Sequence, residues 1–208
     1  MRPQAPPRTR RTQQERVAIS TQRLLEAAIS LIGEKGFERT TAVEISERAG
    51  YSKPMVHVRF GSKEALLETL LTSYQDQILP APDPTRDGLE RVLDGVEAMG
   101  RRAAEDPALL RTYFMLGFEA LGPASTRHPW LKVWLARFEA QTLEAMRAGQ
   151  TDGSVRPDLD PELETRALMD LMTGPVFRWT LDAERTDLPA ELHACRHRLR
   201  SRLAVLEQ

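Results

Sequence analysis

The sequence predicts an all-α chain, with a small three-helix head joined by a linking helix to a larger helical body. Three observations carry that prediction. Apolar residues recur at helical spacing along most of the chain, and no stretch alternates apolar and polar positions long enough to compete as a half-buried strand. Gly and Pro punctuate the sequence at intervals that suit helices of ordinary length. Charge is divided unevenly: residues 1–63 hold 12 Lys and Arg against 6 Asp and Glu, whereas the remainder holds 17 against 24. A basic head on an acidic body fits a phosphate-binding module fused to a part with another purpose.

The chain has 208 residues and is 41% hydrophobic, enough to bury a sizeable core. No apolar run reaches the roughly 18 residues of a membrane span. The Pro- and Arg-rich N-terminus lacks the apolar stretch of a secretory signal. A single cysteine, Cys195, excludes an internal disulfide. These features predict a cytoplasmic protein without a membrane partner.

Residues 1–15 carry three prolines and four arginines with almost nothing apolar, and predict a disordered basic arm, either a solvated tail or an arm that touches DNA phosphates or the minor groove. The head is predicted over 16–62. Its first helix places Leu24, Ala28 and Leu31 on one face, broadened by Leu25, Ile29 and Ile32. Lys35 and Gly36 end it, and Phe37 is expected to plug the core. Thr40 or Thr41 caps the next helix, with Glu44 placed to close a capping box. Val43 and Ile45 to Ala49 supply its apolar positions. After Gly50-Tyr51, Ser52 is expected to cap a second short helix with Pro54 in its first turn. Val56 and Phe60 face inward. Ser62 then opens the linking helix, 63–79, with Leu66, Leu67, Leu70 and Leu71 inward.

Two short helices joined by a tight glycine turn make a helix-turn-helix, whose second helix can enter the major groove. Ser52, Lys53, Pro54, Met55 and His57 are its exposed candidates. Thr40 and Thr41 are placed to bind a phosphate, and Lys53 to read a guanine edge or hold a phosphate.

The run from Gln22 to Leu71 resembles the N-terminal domain of the TetR family. The resemblance rests on Leu25-Glu26-Ala27-Ala28, Glu34-Lys35-Gly36-Phe37, Thr40-Thr41, Glu47-Arg48-Ala49-Gly50, Ser52-Lys53 and Phe60-Gly61-Ser62-Lys63-Glu64-Ala65-Leu66. It implies a positioning helix at about 40–48, a recognition helix at 52–58, and Lys63 gripping the DNA backbone. Tyr51 joins the predicted DNA contacts. The chain departs from the family pattern at Pro54, Met55, His57, Val58 and Arg59. Met55 is then suited to touch a thymine methyl, and His57 or Arg59 to replace a tyrosine phosphate contact.

The body, 63–208, is predicted to bind ligand and to dimerise. Helices are expected at roughly 85–104, 107–121, 129–149, 160–183 and 189–207. Met99, Tyr113, Phe114, Gly117, Phe118, Trp130, Trp134, Phe138, Met172 and Phe177 are the candidate lining of an apolar cavity. Gly174-Pro175 would bend its helix, and Arg111, Glu119 and His128 are candidate polar anchors. By the resemblance, the last two helices form a homodimer interface, with Leu163, Ala167, Leu168 and Leu171, then Leu192, Leu199, Leu203 and Leu206. His193, Cys195 and His197 do not complete a metal site, because Cys195 points elsewhere on its helix, and no cofactor is expected. The sequence holds no Gly-rich phosphate loop, nucleophile elbow or HExxH motif, so no enzyme is predicted. The expected function is a repressor released from a palindromic double-stranded DNA operator by an apolar small-molecule effector of unknown identity. The alternative is a ligand-independent activator or broad DNA-binding protein.

Overall fold

The computed structural model describes residues 12–121 and 128–205, without the side chains of Tyr74, Asp76, Ile78 and His128. Most of the basic arm, Leu206 and the His128 side chain therefore lie outside the described residues. The described part is all-α: α1 (Gln13–Lys35), α2 (Ala42–Arg48), α3 (Met55–Phe60), α4 (Lys63–Ile78), α5 (Gly88–Glu105), α6 (Pro107–Glu119), α7 (His128–Asp152), α8 (Pro161–Leu181) and α9 (Leu188–Leu203). They fall into two compact units that divide between Leu70 and Leu71, inside α4. The expected boundary lay at the start of that helix. It moves because Leu66, Leu67 and Leu70, all nearly fully buried, belong to the first unit's core.

In the first unit α1 begins earlier than expected. Thr12 and Glu15 form a capping box, each side chain bonding the other's backbone N–H at 3.2 and 2.7 Å. Residues 13–15 therefore extend a helix rather than an arm. Leu24, Ala28 and Ile32 are fully buried along its inner face, and Phe37 closes the turn that follows. Two ion pairs fix α2 to α1. Arg48 forks onto Glu34 at 2.7 and 3.1 Å and reaches Ser30 at 2.8 Å, while Lys35 meets Glu44 at 2.6 Å. These hydrogen bonds, from Arg48 and Ser30 to Glu34 and from Lys35 and Thr41 to Glu44, lower each carboxyl to about 2.

In the second unit α5 is the central strut. Leu89, Val92, Leu93, Val96, Met99 and Ala103 repeat every three or four residues and are buried against neighbouring helices, chiefly α9 and α7. At its start α5 crosses α7 so closely that a Cβ on Gly88 would stand 2.1 Å from the Gly149 nitrogen. The end of α7 and the segment after it then clasp the start of α5 and the end of α9. Asp152 and Ser154 accept the free N–H groups of Gly88 and Leu89 at 2.8 and 3.1 Å, and Arg156 N–H donates to the Leu203 carbonyl at 2.9 Å.

Helix α8 continues through Pro175. Proline has no N–H, so the carbonyl of Leu171 loses its helical donor. The thiol of Cys195 on α9 points at that carbonyl at 3.8 Å. Among the described residues no helix is long and apolar enough to cross a membrane.

Candidate nucleic-acid interface and ligand cavity

The head's chemistry is set by which polar groups the fold consumes. Thr41, not Thr40, caps α2: its hydroxyl accepts the Glu44 N–H at 3.2 Å, and Glu44 accepts from the Thr41 N–H at 2.9 Å. Thr40 is buried with its hydroxyl donated to the Gly36 carbonyl at 2.8 Å, so its side chain is removed from the phosphate contacts the sequence suggested.

Helix α3 starts at Met55, with Pro54 at the N-cap and no side-chain cap from Ser52. The cap comes from α2 instead. Ser46, fully buried, donates to the Ala42 carbonyl at 2.9 Å and accepts the Val56 N–H at 3.1 Å. One hydroxyl thus holds the two short helices at a fixed angle. The sequence had counted Ser46 within an apolar run and Val43 as inward, but Val43 is exposed and Ile45 with Ser46 makes the inner face. Gly50 at φ +79° allows the tight turn, and the Tyr51 N–H closes it on the Ser46 carbonyl at 2.9 Å.

The cations divide sharply. Arg59 reaches back to the Ser20 hydroxyl at 2.8 Å. Lys63 donates to the Phe37 carbonyl at 3.1 Å and lies 4.0 Å from the centre of that ring. Both were expected on DNA; the fold uses both as internal braces. Lys53 remains extended, its side chain 73% exposed and its ammonium 3.9 Å from Glu47. His57 turns Nδ1 to the Gly61 carbonyl at 3.1 Å. A carbonyl only accepts, so Nδ1 is the donor in this contact. Ser52, Pro54 and His57 are exposed, Tyr51 and Met55 half-buried. Val58, absent from the predicted contacts, is 75% exposed. Only its apolar character distinguished it in the sequence.

The second unit holds an apolar cavity of about 140 Å³ between α5, α6, α7 and α8. Met99, Phe114, Gly117, Phe118, Trp134, Phe138 and Met172 line it, as the sequence suggested, together with Leu121, Leu131, Met169, Thr173 and Val176. Tyr113 and Trp130 do not. Tyr113 is 2% exposed and sits behind the wall, edge-on to Trp130 and Trp134 at 5.1 and 6.1 Å; burial raises its phenol pKa. Phe177 leaves the cavity for an outer groove with Phe118, Arg111 and Glu119, because its position on α8 faces outward. A second, polar cavity of about 310 Å³ shares Phe138 and is lined by Arg86, Arg91, Asp94, Glu97 and Gln141. Its charged residues lie on α5 and in the segment just before it, where by sequence alone they read as a solvent face.

Four of the predicted dimer residues belong to the chain's own core. Leu168, Leu192, Leu199 and Leu203 are at most 6% exposed and face α5 and the α8–α9 seam, which consumes the stripe read as a dimer face. Leu171 is half-buried, while Leu163 and Ala167 are exposed on α8 with Phe177 and Leu181. Cys195 is buried between His193 and His197, which are exposed, so the three do not converge.

Similarity to known proteins follows the same division. The family model described as bacterial regulatory proteins, tetR family, matches residues 24–70, all within the first unit. The A-factor receptor protein of Streptomyces griseus is 26% identical over 181 residues, covering 84% of this chain but only 60% of that protein's length. The transcriptional repressor KstR2 of Mycobacterium tuberculosis is 26% identical, covering 75% of this chain and 78% of that one. The solved structure of TylP, a TetR regulator from Streptomyces fradiae, superposes with a TM-score of 0.72 at 24% identity, covering 92% of this chain and 89% of that chain. With the helix-turn-helix geometry of α2 and α3, the match over residues 24–70 makes the first unit a TetR-type helix-turn-helix head, and the longer, weaker matches support a regulator of the TetR family.

Proposed function

We propose that the chain is a repressor that binds a palindromic DNA operator as a homodimer and releases it when a small apolar molecule enters the second unit's cavity. The observation that carries the DNA reading is the surface of α3. Its frame is fixed internally by Ser46, while Lys53, His57 and Val58 stay outward and unburied. A six-residue helix reads few base pairs, so a two-fold pair of them is the economical way to specify a site. The exposed apolar residues of α8 supply the face for that pairing. The repressor KstR2 among the relatives favours repression, and a relative named a receptor favours an effector. The apolar cavity is comparable in size to one that accepts a benzene ring. Helix α4 belongs to both units, so a ligand that prefers one cavity shape can bias DNA binding through it.

The test is selection of bound sequences from a random DNA pool at about 150 mM salt. A recovered palindrome with nanomolar affinity supports the reading. Recovery of no motif, with affinity falling steeply in salt, would instead mark a broad DNA binder.

A further inference from the structure

Protein side chains most often specify a base pair through arginine, bidentate on guanine. On this head Arg59, on α3 itself, and Arg48, at the end of α2, are both engaged within the fold. Arg48 is held by both oxygens of Glu34 and by Ser30, and Arg59 by Ser20. Lys63 is braced on Phe37. What α3 presents is of another kind. Val58 stands 75% exposed at the middle of the helix, while Val56 is fully buried and Met55 half-buried. An exposed Val on a short helix gains nothing from the fold. Its branched side chain is stiff, so it projects two methyl groups in a fixed direction.

We propose that Val58 is the specificity-determining residue of α3 and that it reads the 5-methyl group of a thymine in each operator half-site. The inference rests on the DNA-binding reading above. It moves the thymine contact from Met55, which the fold half-buries, to Val58, which the fold leaves free. Val58 has no donor or acceptor, so the only base-edge feature in the major groove that it can favour is that methyl. Lys53, just before the N-cap of the helix, then holds the chain in place without naming a base.

The experiment takes the site recovered from the random pool and replaces its thymines by deoxyuridine one pair at a time, which removes the methyl and keeps every hydrogen-bonding group. Each methyl that Val58 covers is expected to be worth about fourfold in affinity, and removal from both half-sites about fifteenfold. Val58→Ala, an exposed change that leaves the fold intact, should weaken binding to the thymine site and bind the thymine and deoxyuridine versions within twofold of each other. A selected site at which no deoxyuridine replacement weakens the native protein overturns the assignment and leaves the DNA-binding reading standing. A methyl effect that survives undiminished in Val58→Ala overturns it as well, since another residue then makes the contact. A pool that yields no preferred sequence overturns both readings together.

Discussion

Single side chains decide how this head can work, and the least conspicuous one matters most. Ser46 supplies a buried side-chain hydrogen bond from α2 to the first turn of α3. Ser46→Ala leaves the buried Val56 N–H unpaired, so it should cost about 1–3 kcal/mol of stability in denaturant titrations. It should also weaken operator binding beyond that loss, because α3 is no longer held at one angle. Equal affinity per folded molecule would show that the angle is set elsewhere. Lys53→Ala should weaken operator binding by more than about tenfold and flatten its salt dependence by roughly one counterion per half-site. At this scale the sequence was legible for exposure and opaque for partnership. Lys53, His57 and Ser52 are outward as expected. Thr40, Arg59 and Lys63 were chosen for DNA by chemistry and register, yet each finds a partner in the fold: Gly36, Ser20 and Phe37. Those partners lie on a different element or across a turn, where spacing along the chain carries no information.

At the scale of elements, α2 is secured to α1 by Glu34–Arg48 and Lys35–Glu44, and the carboxyls carry a pH signature. Both sit at about 2 in the fold against 4.5 ordinarily, so the folded state holds its protons less tightly than the unfolded chain does. The stabilisation is therefore complete above about pH 4.5 and is lost as pH falls toward 2. Acid titration of the isotope-labelled protein, with the amide signals of residues 42–60 followed by NMR, should show this loss, and Arg48→Ala should make it shallower. An unchanged acid profile in Arg48→Ala would deny the pair that role. The α5–α7 crossing offers a contrast between two glycines of one helix. Gly88→Ala forces the α7 backbone aside and should lower stability by about 1–3 kcal/mol. Gly95→Ala meets nothing within 4 Å and should raise stability by roughly 0.5–1 kcal/mol. Thermal melts of the two variants should move in opposite directions. Helix order and type were readable from apolar periodicity and capping residues, to within a few residues at each end. The Gly88–Gly149 crossing was not, because a close approach between elements 61 residues apart leaves no local pattern.

For the whole molecule the unread part was which apolar stripe faces inward. Leu192, Leu199 and Leu203 repeat as a dimer face would, yet they seal the second unit's own core. Periodicity identifies a buried face without saying whether the same chain or a second copy buries it. If two chains pair through α8, changing the outward Leu163 and Leu181 to Glu should give a monomer by sedimentation with native helix content and operator affinity reduced by at least tenfold. A dimer that persists would shift the pairing surface to other helices. The missing N–H of Pro175 has a consequence of a different sort. It places the chain's one thiol, Cys195, against the Leu171 carbonyl at 1% exposure, and burial raises the thiol pKa. A coloured thiol reagent can then reach its sulfur only when α8 and α9 part, so the labelling rate of the native protein is a clock for that opening. No probe need be engineered, and any small molecule that tightens the second unit will announce itself by slowing the clock.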